Sequence, residues 1–240
     1  MAVKEYSGIA VFIGDISAAI NPDAERGKLA GVCMQEEPFC TIQKKLGCKA
    51  IVLLRQVHGI EGRVIAGDCA DFPILTHEGD YLITQEPGVA VGVVTADCLP
   101  FIVYDPIKQV VAVIHAGWKG LVAGIVQHVI SRLQQEFGSE VADLLVIHGP
   151  AADSCCYEVR QDFIDQMNFY YPKTKAFSVA GDRITFSLVR LLREILFESG
   201  FSAAQLEDLV FDCTMCSDHY CSYRRDNKSN MRQLTVVSLK

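Results

Sequence analysis

The stretch VAVGVVTADCLPFIVYDPIKQVVAVIHAGWKG, residues 89–120, decides how this chain folds. Residues 89–96 and 110–115 are dense in β-branched side chains and predict strands. Residues 100–104 predict a shorter strand between them, closed by the turn signal Asp105-Pro106. All three runs are almost continuously apolar, which requires cover on both faces of a sheet. Past His115 the period changes. Leu121, Val122, Ile125, Val126, Val129, Ile130, Leu133 and Phe137 fall on one helical stripe, with Gly138 placed to end the helix.

Working outward, residues 50–57 (AIVLLRQV) predict another buried strand, and 144–148 one more that ends at Gly149-Pro150. Residues 6–13 predict an N-terminal strand, and residues 24–46 carry only a weak helical signal. Leu188, Leu191, Leu192, Ile195 and Leu196 mark a second amphipathic helix, closed by Gly200. Residues 209–213 and 234–239 predict late strands. Strands and helices mix without strict alternation, so the fold class is α+β rather than a doubly wound sheet. No repeat or linker divides the chain, and 1–240 reads as one domain.

The composition agrees. The chain has 240 residues, half of them hydrophobic and 21% charged, which excludes disorder. Its 22 Lys+Arg against 29 Asp+Glu leave a net charge of −7. That balance argues against nonspecific binding to nucleic acid or to an anionic membrane, though not against a small anion held by a few local cations. The longest apolar runs fall far short of the roughly 20 residues of a membrane span. The start MAVKEYSG shows no secretory signal, so the ten cysteines read as reduced thiols in a cytoplasmic protein.

Three ligand-type residues stand at strand edges beside Gly- or Pro-bearing turns: His58 in QVHG, Cys98 in TADCLP and His115 in HAGWKG. Two imidazoles and a thiolate leave one tetrahedral position open, the pattern of a catalytic zinc site. The same three could equally be satisfied residues at strand ends. A second string, Cys213-Thr-Met-Cys216-Ser-Asp-His219-Tyr-Cys221, is too tight to wrap a tetrahedron by itself and predicts no structural zinc site. Cys155-Cys156 reads as buried filler.

QVHG, TADCLP, HAGWKG, GPAADSCCYEV (149–159) and SYRRD (222–226) together resemble the laccase-domain family. Its members are also called multicopper polyphenol oxidase-like proteins and purine nucleoside phosphorylases. The resemblance runs from about Leu53 to Leu239 and includes Gly79–Thr84 as the strand before TADC. It implies zinc on His58, Cys98 and His115, and a four-layer α/β/β/α sandwich. It also implies phosphorolysis of adenosine, inosine, guanosine and methylthioadenosine, with adenosine deamination. Some bacterial relatives are linked to editing of peptidoglycan precursors. Two departures stand out: the family's N-terminal pattern is not visible in residues 1–50, and its closing Thr-Gly-Arg-Gln element appears as Ser229-Asn230-Met231-Arg232-Gln233.

Phosphorolysis needs an anion clamp for phosphate and a proton donor for the departing purine. Arg224-Arg225 is the first choice of clamp, against the reading of an exposed basic pair; Arg55 and Lys119 fit structural or surface roles better. Deamination needs a carboxylate to shuttle protons, and Asp97 is adjacent to Cys98. Asp97 serves only if the chain turns there; otherwise it caps local amides. Glu158 is a second carboxylate, and Trp118 a stacking surface. The partners implied are a purine nucleoside and phosphate. Two other chemistries compete. Copper could replace zinc in a polyphenol oxidase, but six histidines with no His-x-His pair argue against it. Alternatively, Cys98 and His115 could form the dyad of a cysteine hydrolase or deamidase, which would not need His58.

Overall fold

A computed structural model describes residues 2–67, 69–208 and 212–240. Two mixed sheets stack face to face. The first has the order β1 (Ala2–Tyr6), β2 (Ile9–Ile13), β13 (Gln233–Leu239), β6 (Val89–Thr95), β3 (Ala50–Leu53). Only β3 and β6 are parallel in it. The second has the order β12 (Leu206–Asp208), β9 (Leu145–His148), β7 (Leu99–Asp105), β8 (Val110–Ala116), β5 (Tyr81–Thr84), β4 (Gly62–Ile65). Its end pairs, β12–β9 and β4–β5, are parallel and the rest antiparallel.

Helices cover the outer faces. Against the first sheet lie α2 (Ala30–Cys33) and α3 (Phe39–Leu46), with Phe39, Ile42 and Leu46 buried, while the short α1 (Pro22–Glu25) buries no residue and stands at the cleft. Against the second lie α4 (Trp118–Ala123), α5 (Ile125–Phe137) and α7 (Leu188–Glu198). A helix α6 (Gln161–Tyr170) and a separate hairpin, β10 (Phe177–Ala180) and β11 (Arg183–Phe186), complete that side. The result is the four-layer α/β/β/α sandwich that the family resemblance implies, and the α+β class read from the pattern holds with it. The unbroken apolar character of β7 and β8 has its cause here. Ile102, Tyr104, Val111 and Val113 pack toward the first sheet, while Phe101, Val103, Ala112 and Ile114 pack under the helices.

Several elements differ from their sequence-based outlines. The N-terminal strand of 6–13 is a hairpin, turned at Gly8 (φ 93°), where a Cβ would collide with the Tyr104 hydroxyl. The strand of 50–57 ends at Leu53. Beyond it the Gln56 side chain takes over the pairing: its Nε2 donates to Val94 O (2.7 Å) and its Oε1 accepts from Val94 N (2.8 Å). The single stripe of 121–137 is two helices, split at Gly124 with φ 93°. The predicted strand of 209–213 falls mostly outside the described residues; β12 precedes it, and Cys213 forms an isolated parallel bridge with Ala151. No described helix is long and apolar enough to cross a membrane.

Candidate metal centre

The chain crosses from one sheet to the other between β6 and β7, at Ala96-Asp97-Cys98. Asp97 turns it there with φ 86°. The β7–β8 register pairs Pro100 with His115 and Leu99 with Ala116, so Cys98 arrives beside His115. His58 comes from the loop after β3, in the left-handed region with φ 61°. These are local strains of the kind held at functional sites. Donor atoms of His58, Cys98 and His115 all lie within 4.8 Å of one another. Cys98 Sγ is 3.7 Å from His58 Nε2, and the two imidazole rings stand edge to face at 4.8 Å between centroids.

One buried carboxylate organises the set. His115 Nδ1 lies 2.8 Å from Asp80 Oδ1, so that nitrogen carries a proton and Nε2 is the nitrogen left to serve as a ligand. The same carboxylate accepts from the amides of Val57 (3.3 Å), His58 (2.9 Å) and Gly59 (2.7 Å). Asp80 thus positions both histidines. Burial alone would raise its pKa, but the His115 hydrogen bond and charge, with the amides of Gly59 and His58, hold it below the usual carboxylate range. Sequence reasoning passed over Asp80 because it lies 35 residues from His115. The signal was indirect: β5 pairs Tyr81 with Ile114, which sets Asp80 opposite His115.

Burial also opposes ionisation of Cys98 and His115, and their mutual attraction overcomes it. The Cys98 thiol is lowered to about 6, chiefly by His115 and then by His58. The His115 imidazole is raised to about 9 by Cys98 and Asp80. A thiolate is the ligand form a metal requires, and the oriented His115 imidazolium would give up its Nε2 proton to a metal. Gly117 leaves room for them, since a Cβ there would sit 2.9 Å from His58 Cδ2 and 3.1 Å from Cys98 Sγ. The donor set fits a metal ion with a position open toward the cleft.

That cleft has a volume of about 740 Å3, within the roughly 300–1,000 Å3 usual for small-molecule sites. The three candidate ligands line it, as do Asp97, Trp118, Lys119, Tyr157, Tyr223, Arg224 and Arg232. Arg224 stacks over the Tyr157 ring at 4.4 Å and donates through Nη1 to Glu158 O (2.7 Å). Arg225 instead turns into its own loop, donating to the carbonyls of Thr214, Ser217 and Tyr220 and pairing with Asp226. Arg55 also lines the cleft but is paired with Glu78. The Glu158 carboxylate pairs with Arg183 (3.4 Å) and does not line the cleft. Asp97 lines it with both oxygens engaged: Oδ1 accepts from the Thr214 hydroxyl and Oδ2 from the Arg224 amide, each at 2.9 Å.

A family model described as multi-copper polyphenol oxidoreductase laccase matches residues 36–240. The chain belongs to that family. Relatives of this laccase-family chain include the purine nucleoside phosphorylase of Streptomyces coelicolor, 32% identical, with 84% of each chain covered. Another is the purine nucleoside phosphorylase of Clostridium acetobutylicum, 32% identical, covering 79% of this chain and 77% of that one. A third, from Aquifex aeolicus, bears the same name and is 37% identical, covering 67% and 70%. In structure, the chain resembles the Bacillus licheniformis hypothetical protein YfiH with a TM-score of 0.81 at 23% identity over 99% of both chains. It resembles YlmD from Geobacillus stearothermophilus with a TM-score of 0.78 at 22% identity over 98% and 93%. The fold is therefore that of the YfiH structures.

Proposed function

We propose that this laccase-family chain is a zinc-dependent purine nucleoside phosphorylase with a secondary adenosine deaminase activity. Its substrates would be inosine, guanosine, adenosine and methylthioadenosine. The observation that carries this reading is the meeting, in one cleft, of an open two-His-one-Cys donor set with Trp118, Tyr157 and the cations Lys119, Arg224 and Arg232. A nucleoside and phosphate need this combination: an aromatic surface for the base and fixed positive charge for the anion, within a protein of net charge −7. The names of the relatives point the same way.

His58, Cys98 and His115 would hold the zinc, which would supply Lewis acidity beside the reacting atoms. Arg224, steadied by Tyr157 and by Glu158 O, would clamp phosphate near the sugar, where charge builds during displacement of the purine. We assign Asp97 the placing of Arg224: its carboxylate holds the Arg224 amide, while its own carbonyl accepts from Ala152 N (2.9 Å). Its two engaged oxygens make it a poorer proton shuttle than its position beside Cys98 suggests. Asp80 holds the proton on His115 Nδ1 and keeps the loop bearing His58 in place.

Purified enzyme incubated with inosine and phosphate should release hypoxanthine and ribose 1-phosphate in equal amounts. With adenosine and no phosphate, it should release inosine and ammonia. Copper-dependent oxidation of phenols without any phosphorolysis would overturn the reading. A second reading has one specific observation behind it: Asp80, His115 and Cys98 form an acid–imidazole–thiol series like that of a cysteine hydrolase. His58→Ala separates the two, since it removes a zinc ligand but no member of that series.

A further inference from the structure

Four sulfurs gather outside the cleft. Cys155 and Cys156 lie on one turn, and Cys213 and Cys216 on another. Their Sγ atoms are separated by 2.9 Å (Cys156–Cys216), 3.2 Å (Cys156–Cys213), 3.3 Å (Cys155–Cys216) and 3.8 Å (Cys155–Cys156). All four lie within 4.8 Å of one another. Four thiolates at about 2.3 Å from a central zinc have tetrahedral edges of about 3.8 Å. Shifts of about 1 Å or less in each separation therefore turn this cluster into a zinc tetrahedron.

We propose that Cys155, Cys156, Cys213 and Cys216 form a second, structural site for one zinc ion, separate from the site at His58, Cys98 and His115. Apolar packing does not account for the gathering, because Cys155 and Cys216 are exposed. The arrangement also meets the rule that the local string Cys213–Cys221 fails: two ligand pairs come together across a long loop. His219 and Cys221 stand outside the cluster, and the partner pair comes from a turn about 60 residues away. Correcting the sequence reading, Cys155-Cys156 is not buried filler.

The surroundings suit a tetrathiolate. The Asp153 amide donates to Cys213 Sγ at 3.4 Å, an amide-to-sulfur bond that favours thiolate. A zinc with four thiolates carries a charge of −2, and two guanidiniums bond to the backbone of the ligand-bearing turns. Arg183 Nη2 donates to Cys155 O (3.3 Å), and Arg225 Nη1 donates to Thr214 O (2.7 Å) and Ser217 O (2.6 Å). None of the four cysteines lines the cleft, and a closed set of four ligands leaves no position for substrate. The site acts as a clip. It joins the turn carrying Ala152 and Tyr157 to the turn carrying Thr214, and both turns bond to Asp97, next to Cys98.

Metal analysis of protein purified under reducing conditions tests this. The full chain should hold two zinc ions, His58→Ala one, and the double variant Cys155→Ser/Cys216→Ser one. The His58→Ala protein, stripped and reloaded with cobalt(II), should show the intense near-ultraviolet bands of thiolate-to-cobalt charge transfer, and zinc should abolish them. One zinc per wild-type chain that vanishes in His58→Ala overturns the proposal. So does a Cys155–Cys216 or Cys156–Cys216 disulfide found in the wild-type protein alkylated before reduction, or iron in place of zinc at the second site. If the double serine variant fails to fold, the wild-type and His58→Ala counts still decide the matter.

Discussion

Asp80 is fully buried, and its two oxygens serve the His115 ring and three consecutive amides. Asp80→Asn keeps the shape but replaces one acceptor with an NH2 group. Zinc affinity should fall roughly ten- to hundredfold, the usual effect of losing a carboxylate behind a ligating histidine, as measured by chelator competition. Wild-type affinity in the variant would refute the role. The same carboxylate has a folded-state pKa below its unfolded value of about 3.9. Its stabilising contribution is therefore complete above about pH 4 and is lost as pH falls through the lower folded value. Urea midpoints of metal-free wild type should drop in that acid window, and those of Asp80→Asn should drop less. Cys98 offers a second reading of the electrostatics. With its thiol lowered to about 6, metal-free protein should be alkylated at Cys98 with a half-rise near pH 6, against about 8.5 for an ordinary cysteine, and zinc should protect it. Mass spectrometry of the labelled peptide reads both; a half-rise near pH 8.5 would show that the imidazoles do not act on the sulfur.

At the scale of elements, α7 was legible in its apolar stripe and its closing glycine. Its apolar stripe, Leu188 to Leu196, is buried as the spacing predicts, and Gly200 takes up φ 93° beyond its end. The Ser187 side chain caps it by accepting from the Arg190 amide at 3.1 Å. Ser187→Ala should cost about 1 kcal/mol, a fall in melting temperature of about 2–4 °C for a chain of this size. Calorimetry that shows no change would mean the cap is replaced by another acceptor. The break between α4 and α5 was not legible, because the apolar stripe runs straight through Gly124; only the left-handed backbone there reveals it. The end of β3 was hidden in the same way, since a glutamine side chain continues the hydrogen bonding that a strand would make.

For the whole molecule, the C-terminal strand is the keystone of the first sheet. β13 lies between β2 and β6 and is buried along its entire length. Deleting 233–239 would split the first sheet into two separate pairs, β1–β2 and β3–β6, and open the interface to the second sheet. The truncated chain should lose its cooperative thermal transition and bind hydrophobic dyes. A sharp transition like that of the full chain would refute this. Pairing the first strands with the last is also a long-range closure, so folding should be slow relative to a helical protein of this length.

Local pattern by itself determined a good deal. The β-branched runs of 89–96 and 110–115 could bury only as covered strands, and the 3.6-residue stripes could bury only as helices. His58, Cys98 and His115 were visible because each is a ligand-type residue at an abrupt end of an apolar run. What tertiary structure alone decided is which distant residues meet. Asp80 reaches His115 through the register of β5 on β8, and Cys155-Cys156 reaches Cys213 and Cys216 through the bridge of Ala151 to Cys213. Arg224 was separated from Arg225 by which side of one loop faces the cleft. Local periodicity reports which face of an element is apolar. Contacts between residues tens of positions apart depend on strand order and register, which the packing of the two sheets sets as a whole.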